Sequence, residues 1–211
     1  MTRDTGIELS SSSSEGADDR TQAVIRSCFI QLAAAHGYRG VKMAEVAAQA
    51  GMSRQNLYRY YRNREELYRA TLDELFDRFW QQAEPLFENF DDTLSEQINL
   101  MAMVVAGQHP DILRLLADPN QVDLSLSLLR RYFARVLGAL LRQRGVQPLD
   151  REQMEIVISM VSGASLAGLR QWVAGDMQVP AAKMARIMSH VFNGRLVELI
   201  DGSPSSSEEW F

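Results

Sequence analysis

Arg54, Gln55 and Asn56 stand in a row directly after Ser53, inside the stretch GMSRQNLYRYYRNREEL at residues 51–67. All three side chains can hydrogen-bond twice to the edge of a single base. The arginine fork matches guanine O6 and N7, and the glutamine and asparagine amides match adenine N6 and N7. Tyr58, Tyr60 and Tyr61 follow, interleaved with Arg59, Arg62 and Arg64. Tyrosine hydroxyls and arginines hold phosphate oxygens, a contact that fixes position without reading sequence. The chemistry on offer is recognition of a nucleic-acid duplex. A solvated helix face needs neither the tyrosines nor this density of cations.

Presenting three such side chains together requires the first turn of a helix, and the flanking residues supply one. Ser53 is a suitable N-cap, and Gly51 provides the positive φ of a tight interhelical turn. A short helix is expected from about Met43 to Ala50 before that turn. Ahead of it, Val24, Ile25, Cys28, Phe29 and Leu32 follow helical spacing in a first helix, capped by Asp18 or Asp19 and stopped at Gly37. Asn63 caps a fourth helix, with Glu66 in the capping-box position, which runs to about Ala83 ahead of Pro85. The two middle helices are too short to be stable alone. Val46, Met52, Leu57 and Tyr61 have the spacing to join them to the first helix in one core. This is the pattern of a helix-turn-helix, whose second helix lies in the major groove.

Charge supports the same reading. Arg20 to Ala70 holds nine lysines and arginines against three glutamates, a net of +6, within a chain of 211 residues and formal charge −5, so the remainder stands at −11. A basic N-terminal quarter on an acidic remainder points to a polyanionic partner at one end. The single cysteine, Cys28, excludes an internal disulfide framework and a four-cysteine zinc site. The longest strongly apolar uncharged run, residues 156–169, is shorter than the roughly 20 residues that span a bilayer. No signal-peptide pattern is present, and a cytoplasmic location is expected.

Residues 30–70, IQLAAAHGYRGVKMAEVAAQAGMSRQNLYRYYRNREELYRA, resemble the DNA-binding domain of the tetracycline-repressor (TetR) family. The resemblance is carried by Gly37-Tyr38, Val46-Ala47, Ala50-Gly51-Met52-Ser53, Leu57-Tyr58, Tyr61 and Asn63-Arg64-Glu65-Glu66-Leu67. It implies base contacts from Arg54, Gln55 and Asn56, and phosphate contacts from Ser53, Tyr58, Tyr60 and Arg64. It departs in two places. Lys42 stands where the family usually has a capping threonine or serine; it can meet a phosphate but cannot cap. Arg62 replaces a frequent proline and adds a possible phosphate contact. Leu57 and Tyr61 are expected in the core, and Arg69 beside Glu65.

The remainder reads as helix, at about 93–107, 110–117, 120–144, 150–175 and 181–200, without strand periodicity. The expected fold is all-α, with about nine helices. It comprises a disordered polar tail (1–19), a helix-turn-helix DNA-binding domain (20–66), a helical effector-binding and dimerisation domain (67–203) and a C-terminal tail (204–211). Ser159, Gly163 and Ala167 put small residues on one helix face, and Met184, Ile187, Met188 and Val191 stripe the last helix. The resemblance makes these a homodimer interface. Phe76, Phe79, Trp80, Met101, Met103, His109, Phe133 and Trp172 are candidates to surround a small-molecule effector. The family's usual outcome is a repressor that binds a palindromic operator as a homodimer and is released by its effector.

Two rivals remain at this point. One is an all-helical metal-dependent enzyme, suggested only by DELFD at Asp73 to Asp77. His36, His109 and His190 are dispersed and form no metal-binding pair, and no cofactor is expected. The other is a protein-interaction module that keeps the helix-turn-helix shape without binding DNA.

Overall fold

The computed structural model describes residues 8–85, 103, 107–144 and 150–193. Met101, most of the helix expected at 93–107, the side chain of Val191 and the C-terminal tail lie outside them. Among the described residues there is no strand, and the main elements are eight α-helices and one 3-10 turn. The chain forms two compact units, Met1–Thr71 and Leu72–Phe211.

The first unit opens with α1 (Glu8–Gly40), broken at Gly37 (φ 69°, ψ 161°) where a helix stop was expected. Its start corrects the expectation of a disordered tail through residue 19. Asp18 and Asp19 are interior to the helix and do not cap it. Extending a nucleated helix fixes one residue for each hydrogen bond gained, and residues 8–19 contain no proline to stop it. Next come α2 (Met43–Gln49), α3 (Arg54–Tyr60) and α4 (Arg64–Ala83). The α2–α3 turn is a Schellman closure: Met52 N donates to Ala47 O (2.9 Å) and Gly51 N to Ala48 O (3.1 Å). Gly51 takes φ 67°, which a side chain would strain. Asn63 Oδ1 accepts from Glu66 N (2.8 Å), while Glu66 Oε2 reaches back to Arg62 N (2.7 Å), one residue beyond the expected capping box.

Ile25, Phe29, Val46, Leu57, Leu67 and Tyr68 are fully buried in this unit. Tyr38 stands edge-on to Phe29 and Tyr68, with ring centres 6.5 and 5.2 Å apart. Val24 and Met52 lie further out than their spacing suggested: Val24 is exposed and Met52 half-buried. Burial pushes the Cys28 thiol pKa up, against a smaller lowering by a backbone hydrogen bond.

The second unit contains the end of α4, then α5 (Pro110–Leu116), the 3-10 turn Pro119–Gln121, α6 (Val122–Arg144), α7 (Arg151–Ala174) and α8 (Ala181–Asn193). Asp150 and Gln153 form a reciprocal capping box that starts α7. Leu137 and Leu141 of α6 pack on Val157 of α7, with Met154, Ile158 and Val161 around them. Arg131 pairs with Asp73, and Arg135 with Asp77 at 3.1 Å, so α4 and α6 are laddered four residues at a time. These pairs occupy both aspartates of DELFD, and among the described residues no cluster of metal-ligating side chains is present. By length and composition α7, with 24 residues, is apolar enough to cross a membrane, contrary to the shorter run expected. It is a packed helix here, with Ser162, Ser165, Leu166, Leu169 and Trp172 buried.

Candidate nucleic-acid interface

Ser53 sets the geometry. Its Oγ accepts from Asn56 N at 3.1 Å, so α3 starts at Arg54. Buried Leu57 and Tyr61 pin the inner side of α3 and its C-cap. Arg54, Gln55, Tyr58 and Arg59 are then exposed, and Asn56 is half-buried beside the cap. The row of base-reading types lies on the solvent side of the helix start. Tyr58 leaves 49% of its surface in solvent, more than a core residue would.

The expected phosphate contacts divide into two groups. Lys42, Ser53, Tyr58 and Arg62 are exposed. Lys42 is the N-cap of α2 without a side-chain cap bond, as its chemistry requires, and pairs with Glu45 at 3.3 Å across open surface. Tyr60 and Arg64 have partners inside the unit. Tyr60 Oη donates to Asp18 Oδ1 at 2.9 Å. Arg64 Nη1 donates to Arg39 O (2.7 Å) and Val41 O (3.0 Å), and its guanidinium lies 4.4 Å from the centre of the Tyr38 ring. Neither set of partners is near in sequence, so spacing could not reveal them. Sequence reasoning also missed the relay behind α3, in which Arg26 Nη1 donates to Tyr61 Oη (3.0 Å) and Tyr61 Oη to Gln22 Oε1 (3.3 Å). Arg69 pairs with Glu65 at 2.9 Å, as expected from their helical spacing.

In the second unit, Phe76, Phe79, Trp80, Met103 and Trp172 are buried, and His109 and Phe133 half-buried. Phe76 and Phe79 meet edge to face at 6.2 Å, and Phe76 stacks on Tyr132 at 5.3 Å. Phe133 lies 5.4 Å from Tyr132, and Arg135 sits 4.2 Å over the Trp80 ring. Trp172 is occupied differently: its indole N–H donates to Val179 O at 2.7 Å, fastening the turn after α7. Tyr132, which the sequence reading passed over, is the polar member of the aromatic group. Its hydroxyl is buried with no hydrogen-bond partner among the described residues, and burial pushes its pKa up to about 12, against a smaller lowering by Arg135.

The small-residue face of α7 is open, with Ser159 and Ala167 exposed and Gly163 half-buried; Ile187 of α8 is exposed too. Met184 and Met188, expected at an interface between copies, are instead buried within their own unit. Gly168 of α7 leaves room for the Met184 side chain, whose Cε lies 3.3 Å from where a Cβ would stand. Ile156 and Met160 were missed; they are 53% and 69% exposed on α7. Their signal was the helical spacing of four, three and four residues that runs from Ile156 through Met160 and Gly163 to Ala167.

Comparison with known proteins agrees with this geometry. The family model for bacterial regulatory proteins of the tetR family matches residues 30–71, which take in the helix-turn-helix and its flanks. The nucleoid occlusion factor SlmA of Pasteurella multocida (strain Pm70) is 28% identical over 100 residues, 46% of this chain and 50% of that protein. The chain thus matches about half the length of this curated relative. Among solved structures, a putative TetR-family transcriptional regulator from Syntrophomonas wolfei superposes with a TM-score of 0.68 at 12% identity, covering 85% of this chain and 95% of that one. FadR of Bacillus subtilis, solved in complex with stearoyl-CoA, gives 0.63 at 13% identity, covering 82% and 97%. At such identities the likeness is one of fold. Residues 30–71 thus carry the helix-turn-helix pattern of the tetR family of bacterial regulatory proteins, and the chain shares the all-helical fold of these solved structures.

Proposed function

We propose that this protein is a cytoplasmic transcriptional repressor that binds a palindromic operator as a homodimer and leaves it when a small molecule binds the second unit. The observation that carries the reading is the outward row Arg54-Gln55 with Asn56 at the capped start of α3, backed by buried Leu57 and Tyr61. Arg54, Gln55 and Asn56 read bases. Lys42, Ser53, Tyr58 and Arg62 hold phosphates. The open face of α7 at Ile156, Met160, Gly163 and Ala167, with Ile187 of α8, supports self-association, because exposed apolar patches of this kind mark contact surfaces. Two such heads would meet half-sites about one helical turn apart, or a multiple of it.

The aromatic group of Phe76, Phe79, Tyr132 and Phe133 supports an apolar effector, and the Tyr132 hydroxyl, without a partner among the described residues, supports an acceptor group on it. The stearoyl-CoA bound by the Bacillus subtilis neighbour is one molecule of that description. The test is selection of bound duplexes from a random library with the full-length protein. Recovery of an inverted repeat whose occupancy falls with salt supports the proposal. Recovery of no enriched sequence sinks it.

A further inference from the structure

We infer that Arg64 is a positioning residue for DNA binding, holding the joint between α1 and α2 instead of gripping a phosphate. The inference rests on the DNA-binding reading and gives Arg64 a task within it. The need arises at α2. That helix has only seven residues, and its N-cap, Lys42, makes no side-chain cap bond. Such a short helix does not hold its own start in place, so something else must. The chain enters it from Gly37, where the backbone has left the helical region, through Tyr38 to Val41. Tyr38 and Val41 are buried and anchor that entry by their side chains. Their backbone must still be aimed.

Arg64 does the aiming. One nitrogen, Nη1, bridges Arg39 O and Val41 O, the second of which belongs to the residue immediately before the cap. The guanidinium lies over the Tyr38 ring, which also meets Phe29 of α1 and Tyr68 of α4. The first turn of α4, the end of α1 and the entry to α2 are therefore tied at one cation. Arg62, two residues earlier, is exposed and serves as the comparison.

The test compares Arg64→Met with Arg62→Met in the full chain. Methionine keeps an apolar stem over Tyr38 and removes both the charge and the donors. In duplex binding, Arg64→Met is expected to lower affinity about tenfold while leaving the slope of log affinity against log salt as in the parent. Arg62→Met is expected to make that slope shallower by about 0.9 per head. In the free protein, amide exchange at residues 43–49 is expected to quicken in Arg64→Met and to stay at the parent rate in Arg62→Met, with the core of α4 protected in both. If Arg64→Met instead flattens the salt slope as Arg62→Met does, or leaves exchange in α2 unchanged, the inference is overturned. A parent protein that binds no duplex at all would refute the DNA-binding reading, and the exchange measurement would still decide whether Arg64 holds the joint.

Discussion

At the scale of single residues, neighbours of similar type have different work. Arg54 faces solvent at the helix start, so Arg54→Ala should cost about 1–3 kcal/mol at one base position and relax preference there. Tyr58→Phe should weaken all sequences alike, since a phosphate contact carries no sequence information. Binding titrations against single-base variants of the selected site check both. Tyr132 gives a different prediction. Its hydroxyl is buried without a partner among the described residues, so Tyr132→Phe should leave the fold as stable or raise its melting temperature. The pH dependence follows from a phenol whose pKa rises from 10.0 to about 12 on folding. Between those values the unfolded chain ionises while the folded one stays neutral, so the Tyr132 contribution is intact below pH 10 and is lost as pH climbs toward 12. Denaturation of parent and Tyr132→Phe at pH 9 and about pH 11.5 should therefore show the variant's relative advantage growing with pH.

At the scale of elements, two short helices illustrate how little a cap costs to supply and how much it decides. Ser53→Ala removes the bond to Asn56 N and should destabilise the first unit by about 0.5–2 kcal/mol. Lys42 already has the extended backbone of a cap (φ −106°, ψ 135°) but no acceptor. Lys42→Thr should add about 1 kcal/mol to stability by capping α2, and should weaken DNA binding by removing a cation. Thermal melts and duplex titrations separate these two effects; a variant that gains affinity as well would mean Lys42 touches no phosphate. The cap at Ser53 and the turn at Gly51 were legible because a cap and a positive φ are local demands on residue type. The long start of α1 was not, since a polar segment continues a helix or leaves it according to what precedes and follows.

At the scale of the whole molecule, the decisive question is which apolar face of a helix is covered by its own chain. In α7, Val157, Leu166 and Leu169 face inward and Ile156 and Met160 outward, although all five are equally apolar in the sequence. Ile156→Asp combined with Met160→Glu should leave the fold intact, convert the proposed dimer to a monomer in sedimentation velocity and cut affinity for a two-fold site far more than for a half-site. A double variant that still sediments as a dimer would remove α7 from the interface. The sequence alone determined the helix-turn-helix and the exposure of Arg54 and Gln55 at the start of α3, because caps, turns and helical spacing act over a few residues. Only the tertiary structure decided that Arg64 is held by Arg39 and Val41, that Tyr60 is held by Asp18, and that Met184 and Met188 lie inside while Met160 lies out. Periodicity tells how many faces a helix has, whereas burial and hydrogen bonding depend on which distant segments arrive to cover them.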